Sequence, residues 1–250
     1  MPITAQNWFD QGGEAYSRFR PDYPDDLARL LGEIAPGRNV ALDVGCGTGQ
    51  FTRQLAAQFE TVVGTDPSAD QVDHAQAYER VRYEVGSAER IDLPDRSVDL
   101  VTAAQAAHWF DLPVFYEEVR RVAVPEGLLA LISYGVAQLD PGLNDRFLTF
   151  YHDEVGRFWP PERKLVDDGY AGIDFPFREL PPPRLEIERH WSAADFLGYI
   201  STWSAARRAR EAGEERLLEA FAEDIFKLWG KPDQRRTVRW PINMRLGDVI

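Results

Sequence analysis

Asn39-Val-Ala-Leu-Asp-Val-Gly-Cys-Gly-Thr-Gly49 decides the reading of this 250-residue chain. Val40, Ala41 and Leu42 form the apolar run that a parallel strand buried on both faces requires. Asp43 then places a carboxylate at the strand's end. Gly45, Gly47 and Gly49 permit a tight turn and a close approach of ligand to backbone. Phe51, Leu55 and Phe59 follow at four-residue intervals, which predicts an amphipathic helix. Strand, glycine turn and helix in that order make the nucleotide-cradling corner of a doubly wound sheet. The corner predicts an adenosine-containing ligand.

The glycine spacing narrows the choice. Dinucleotide enzymes space their glycines G-x-G-x-x-G, with a pyrophosphate on the helix N-terminus. Here the spacing is G-x-G-x-G, Gln50 stands at the later position, and an acid precedes the first glycine by two residues. The pattern resembles the class I S-adenosylmethionine (SAM)-dependent methyltransferases, whose Asp/Glu-x-G-x-G-x-G turn holds a ligand without phosphate. SAM carries an α-ammonium that a strand-end carboxylate can receive through a charge-assisted hydrogen bond.

The following segments supply context. Thr61–Thr65 reads as a second buried strand ending at Asp66, with Pro67 and Ser68 after it. An acid there can accept both ribose hydroxyls of an adenosine. Val81–Val85 predicts a third strand, followed by Gly86-Ser-Ala-Glu89, which in the resembled family lies beside the adenine. Val98–Ala104 predicts a fourth, entered through Leu93-Pro-Asp-Arg-Ser-Val-Asp99, a habit of the small-molecule branch of that superfamily. Asp92 and Asp95 are read as solvated charges.

Composition bounds the alternatives. The length suits one large α/β domain or one domain with an inserted cap. No apolar stretch reaches the roughly 18 residues a membrane span needs, and the N-terminus lacks the basic start and apolar core of a signal peptide. The single cysteine, Cys46, excludes an intramolecular disulfide framework and points to a reducing, cytoplasmic compartment. It is read as a small filler of the cofactor turn. The four histidines, at 74, 108, 152 and 190, show no metal-ligand spacing, so no metal is expected. A net charge of −13 has the wrong sign for wrapping nucleic acid, and Arg207-Arg-Ala-Arg210 and Arg235-Arg236 read as helix-end cations. The expected partner is a small-molecule acceptor, with neither nucleic acid nor membrane, for a monomer or homodimer.

Four regions emerge. Residues 1–38 form an N-terminal segment whose Leu27, Leu30, Leu31 and Ile34 make a short helix after Pro24, stopped by Pro36-Gly37. Residues 39–136 alternate strands and helices, with a helix over Val114–Val124, a Pro125-Glu-Gly127 turn and a fifth strand over Leu128–Ser133. Residues 137–235 form an aromatic cap that includes strand six. There Phe147, Phe150, Tyr151, Val155, Phe158 and Trp159 stripe one helix, and Arg184–Arg189 alternates like a strand. Ser192-Ala-Ala-Asp195 is a capping box, and Leu217 to Trp229 make a further helix closed by Gly230 and Pro232. Residues 236–250 hold the final antiparallel strand, with Thr237–Leu246 interrupted at Pro241 and placed near a sheet edge. The predicted fold is α/β: a doubly wound, mostly parallel seven-stranded sheet, Rossmann-like, with a helical and aromatic cap inserted after strand five.

The resemblance sharpens on four further stretches. Tyr16-Ser-Arg-Phe-Arg-Pro-Asp-Tyr-Pro24, Gln105-Ala-Ala-His-Trp-Phe-Asp111, Trp191 to Ser204, and Val238-Arg-Trp-Pro241 look like the trans-aconitate methyltransferase-like group of type-11 methyltransferases. That resemblance implies SAM as cofactor, S-adenosylhomocysteine as product, and a small acceptor methylated on oxygen or nitrogen. It implies that Tyr16 and Arg20 close over SAM, and that Asp43, Gly45, Cys46, Gly47 and Gly49 cradle its methionine end. It also implies that Asp66 holds the ribose flanked by Pro67 and Ser68, with Ser87, Ala88 and Glu89 bordering the adenine. Gln105 and the run through Trp109 would then face the methyl group. His108 is either a general base or a helix-start residue packed beside Trp109. Arg184, Arg239 and Trp203 are acceptor candidates. A non-enzymatic SAM- or nucleotide-binding regulator and an NAD(P)-dependent oxidoreductase remain as alternatives. The long aromatic insert weighs against the first, and the glycine spacing against the second.

Overall fold

The computed structural model describes residues 19–250. Eight strands form one sheet: β1 (Val40–Val44), β2 (Thr61–Asp66), β3 (Val81–Val85), β4 (Val98–Ala104), β5 (Ala123–Tyr134), β6 (Arg178–Glu179), β7 (Glu186–Trp191) and β8 (Arg236–Val249). Their order is β3-β2-β1-β4-β5-β8-β6, with β7 also paired to β8. Counting β6 and β7 as one interrupted strand gives the expected seven strands, in the order 3-2-1-4-5-7-6. Strands β1 to β5 pair in parallel, and β8 returns antiparallel to β5 and β6.

The chain divides into two compact units. The sheet unit comprises Asp22–Val136, Lys164–Ile187 and Pro241–Ile250. Its core on one face joins Leu42, Val63, Val101 and Leu129 to Phe115 and Val119 of helix α4 (Leu112–Val122), and to Val166, Tyr170 and Phe175. The periodicities translate directly into elements. Helix α1 (Asp25–Ile34) buries Leu27 and Leu31, and α2 (Gln50–Leu55) buries Phe51 and Leu55. A short helix α3 (Ala69–Asp73) follows β2.

The second unit contains Ala137–Arg163 and Glu188–Trp240, with residues 19–21. Its core is aromatic. Phe150 stacks on Phe221 at 3.7 Å between centroids, and Trp203 meets Phe147, Tyr151, Trp159 and Tyr199. Ser192 and Asp195 close the expected capping box at the start of α7 (Ala193–Ser201). Helix α8 (Ser204–Glu211) and α9 (Glu215–Trp229) follow.

Several boundaries depart from expectation for identifiable reasons. The helix after the glycine turn ends at Leu55, although Phe59 is still buried because its N–H bonds to the Leu55 carbonyl (3.1 Å). Pro113 starts α4 at Leu112, two residues early, since proline's fixed φ suits a first turn. Strand β5 begins at Ala123 rather than Leu128. The Pro125–Gly127 turn is a bulge within it, with Glu126 at φ 64°. The aromatic stripe is carried by α5 (Pro141–Thr149), a π-turn over Phe150–Glu154 and a 3₁₀ turn over Gly156–Phe158. Most instructively, Pro241 neither interrupts β8 nor marks an edge. It lies one residue past the β5 ladder, which ends at Tyr134–Ile242, so no amide donor is needed there, and its carbonyl accepts from Gly135 N–H (2.9 Å). The residues assigned on sequence to an N-terminal segment and a cap also divide differently, since Asp22–Ile34 and Lys164–Ile187 group with the sheet.

Asp99, the last residue of the Leu-Pro-x-x-Ser-Val-Asp stretch, is a structural clamp. Its buried carboxylate accepts from the N–H groups of Asn39 (2.8 Å) and Val40 (2.9 Å), fastening the start of β1 to β4. An added Cβ on Gly37 would lie 3.0 Å from its Cγ. Replacing Asp99 with Ala strands two backbone donors and should cost about 2–3 kcal/mol of stability. Urea unfolding measures this, and an unchanged midpoint at equal slope would show that the clamp contributes nothing.

Candidate functional site

The site is built at the carboxyl ends of β1, β2 and β4 within the sheet unit. Parallel register brings Asp43 of β1 beside Gly64 of β2 and Thr102 of β4. The Asp43 carboxylate is 1% exposed. Thr52 donates to its Oδ2 at 2.7 Å, and Thr102 donates to its Oδ1 at 2.8 Å. Burial pushes its pKa up to about 6, against the opposing effect of the two threonine hydroxyls. Asp43 therefore ties together β1, β4 and α2 beneath the glycine turn.

The turn itself is wound from backbone bonds. Gly45 and Cys46 N–H both donate to the Thr65 carbonyl, at 2.7 and 3.0 Å. Gly45 has φ 71°, and a side chain there would collide with the Cβ of Ala106. Gly49 has φ 82°, and the Tyr83 ring occupies the space a Cβ would take. Asp66 closes the corner: its Oδ2 accepts from Gly47 N–H and its Oδ1 from Ser68 N–H, both at 2.9 Å. Pro67 separates those two anchors, and Ser68 Oγ caps α3 by accepting from Gln71 N–H. The Cys46 thiol is pushed up by burial, then by Asp43 and Asp66, which keeps it protonated and inert.

This corner fits the methionine and ribose parts of SAM. Among the described residues only Gln71 Oε1, at 3.7 Å, approaches the space beside Gly47, and within that set the oxygen is buried without a hydrogen-bond partner. Tyr83 Oη beside Gly49 is likewise buried. Both oxygens of Asp66 retain a second lone pair for hydroxyl donors. Beyond β3, Ser87 and Arg90 form an isolated bridge around buried Ala88, and Glu89 Oε1 accepts from Asp111 N–H at 3.0 Å.

After β4 the chain turns sharply. Gln105 takes φ 56°, a left-handed conformation that costs a non-glycine residue energy. It is held by its N–H to the Ile132 carbonyl (2.8 Å) and by its side-chain amide to the Tyr134 carbonyl (3.2 Å). The next residues form a 3₁₀ turn, Ala107–Trp109. His108 is half-buried, its Nδ1 lies 3.0 Å from Tyr170 Oη, and Trp109 beside it is 60% exposed.

Tyr16 lies outside the described residues. Arg20 Nη2 donates to the Thr202 carbonyl (3.3 Å) and its guanidinium sits over the Tyr199 ring, within the aromatic unit. Trp203, 4% exposed, belongs to that unit's core. Arg184 is exposed in the sheet unit, and Arg239, in the other, is exposed and paired to Glu188 (2.7 Å). Sequence reasoning missed Thr52, Thr102, Tyr83 and Tyr170. Strand register identifies Thr102 once β1 and β4 are aligned, whereas Tyr170 lies 62 residues from His108 and left no local trace.

The raised Asp43 pKa has a definite sign. Between an unfolded value near 4 and about 6, the folded chain binds more protons, so stability falls as pH rises through that window and stays lower above it. The penalty is about 3 kcal/mol at roughly 1.4 kcal/mol per pH unit. Asp43→Asn should therefore gain stability relative to wild type between pH 4 and pH 7. Urea melts at the two values check this, and a constant difference would contradict the buried-carboxylate account.

Comparisons with known proteins agree with this geometry. A family described as a methyltransferase domain matches residues 42–131. A proposed type II methyltransferase from Anaeromyxobacter dehalogenans has a similar solved structure, with 45% identity, a TM-score of 0.87, and coverage of 93% of this chain and 99% of that one. A proposed methyltransferase of Dictyostelium discoideum is 36% identical over 237 residues, 93% of this chain and 90% of its own length. A Saccharomyces cerevisiae protein described as a probable SAM-dependent methyltransferase is 29% identical over 128 residues, covering 48% of this chain and 44% of its own. The oxidoreductase and non-enzymatic alternatives fall away. SAM is the methyl donor, and the chain belongs to the class I SAM-dependent methyltransferases.

Proposed function

We propose that the acceptor is a small organic molecule methylated on oxygen or nitrogen, in the manner of the trans-aconitate methyltransferase-like group. The observation that carries this reading is the placement of His108 and exposed Trp109 on the turn after β4. Gly45 of the cofactor turn approaches that turn so closely that it leaves no room for a side chain against Ala106. A hydrogen-bonding imidazole and an apolar indole face at that point suit a compact polar acceptor. The net charge of −13 disfavours a nucleic acid.

Bound SAM supplies a methyl group on a sulfonium, a good leaving group for displacement at carbon. The chain's own contribution is positioning and exclusion of water, and proximity alone can be worth about 7–11 kcal/mol. Asp43 shapes the turn from below through Thr52 and Thr102, a positioning role, since its carboxylate is buried beneath the turn. Gly45, Cys46, Gly47 and Gly49 line the methionine end. Asp66 takes the ribose hydroxyls, flanked by Pro67 and Ser68, while Ser87, Ala88 and Glu89 border the adenine. Gln105 holds the acceptor-facing turn in place through its two carbonyl bonds. Residues 137–235 are assigned acceptor recognition, with Trp203 as a contributor, while Tyr16 and Arg20 are assigned closure over SAM. The exposed positions of Arg184 and Arg239 make them weaker candidates.

Asp66→Ala should weaken S-adenosylhomocysteine binding by about 1–3 kcal/mol, which calorimetry measures directly. Unchanged affinity in the folded variant would remove Asp66 from the ribose. The acceptor class is tested by screening small acids, phenols and amines with methyl-labelled SAM. Labelling confined to macromolecules would defeat the small-molecule reading.

A further inference from the structure

Tyr170 occupies an unusual position for a bulky residue. It is fully buried, yet its backbone has φ 62°, directly after Gly169 at φ 62°. Consecutive left-handed residues need support, and here it comes from three sides. Tyr170 N–H donates to the Leu165 carbonyl at 2.8 Å. Arg245 Nη1 donates to the carbonyls of Tyr170 (3.2 Å) and Ile173 (2.9 Å), and Arg245 is itself held by a two-pronged ion pair with Glu179. Gly169 packs so tightly on Asn243 of β8 that an added Cβ would lie 2.8 Å from its Cγ. The product of this arrangement is a phenol hydroxyl fixed 3.0 Å from Nδ1 of His108.

A neutral imidazole has one donor and one acceptor nitrogen, and the partner of one nitrogen decides the role of the other. The phenol O–H is the stronger donor of the two groups, and the imidazole nitrogen the stronger acceptor. The favoured bond therefore runs from Oη–H to Nδ1, which places the ring proton on Nε2.

We propose that Tyr170 is a positioning residue that fixes neutral His108 as its Nε2–H tautomer, so that His108 meets the methyl acceptor as a hydrogen-bond donor and not as a base. This rests on the reading that the turn after β4 faces the acceptor. The acceptor then presents an oxygen or nitrogen lone pair to His108, and its nucleophile does not depend on this residue for deprotonation. The strained Gly169–Tyr170 turn and the Arg245–Glu179 pair acquire a purpose: they hold one hydroxyl against one ring.

Nitrogen-15 NMR of histidine-labelled full-length chain, above neutral pH and without SAM or acceptor, reads the tautomer directly. Four histidines are present, and His108→Gln identifies the signals of interest. In the wild type, His108 should show a protonated Nε2 and an unprotonated Nδ1 whose signal is displaced by hydrogen bonding. In Tyr170→Phe that displacement should disappear. A protonated Nδ1 in the wild type would overturn the proposal, and that arm needs only the folded His108→Gln protein for assignment. An unchanged Nδ1 signal in folded Tyr170→Phe would overturn it equally. Because neither SAM nor acceptor is in the sample, failure here is distinct from failure of the small-acceptor reading, which the labelled-methyl screen reports.

Discussion

A single buried carboxylate organises the cofactor corner. Asp43 bonds to Thr102 of β4 with one oxygen and to Thr52 of α2 with the other, so three successive pieces of the fold meet on one side chain. Burying that charge raises its pKa and opposes folding at neutral pH, an energetic conflict of the kind proteins tolerate where function requires it. What it secures is the trajectory of the backbone above it. Gly45, Cys46 and Gly47 are drawn toward β2 by the Thr65 carbonyl and the Asp66 carboxylate, and the turn cannot drift from the strand ends.

From that corner the acceptor side follows by contact. Gly45 touches Ala106, and the chain turns there through left-handed Gln105 into the short helix bearing His108 and Trp109. Two non-glycine residues in left-handed conformation thus bear on His108: Gln105 precedes it in the turn, and Tyr170 meets its ring. Strain of this kind survives only where surrounding bonds over-determine the backbone. Gln105 has two carbonyl partners and Tyr170 has the Arg245 clamp, so both conditions are met.

The aromatic unit follows a different logic. Its core is ring packing among Phe147, Phe150, Phe196, Trp203, Phe221 and Trp229. Phe150 and Tyr151, three and four residues after Phe147, lie on its buried face as the stripe continues into the π-turn over Phe150–Glu154. A buried stripe and a ligand-facing stripe are written in the same residue types, which is why composition alone did not separate them.

The sequence by itself determined the sheet unit. Its strands are short apolar runs ended by acids and glycines, and β3 and β4 begin and end where the residue pattern places them. Local chemistry sufficed because a parallel strand buried on both faces reads as a mostly apolar run, and its polar exceptions mark the strand ends. The capping box at Ser192 and the turn glycines were legible for the same reason: each satisfies a demand made by its immediate neighbours. Only the tertiary structure decided what distant residues do to one another. Thr102 and Thr52 hold Asp43 because strand register and helix placement bring them there. Pro241 lies inside β8 and not at an edge because β5 ends one residue short of it. Tyr170 reaches His108 because a strained turn, clamped from β8, delivers it across 62 residues of chain, and no spacing rule records such an encounter.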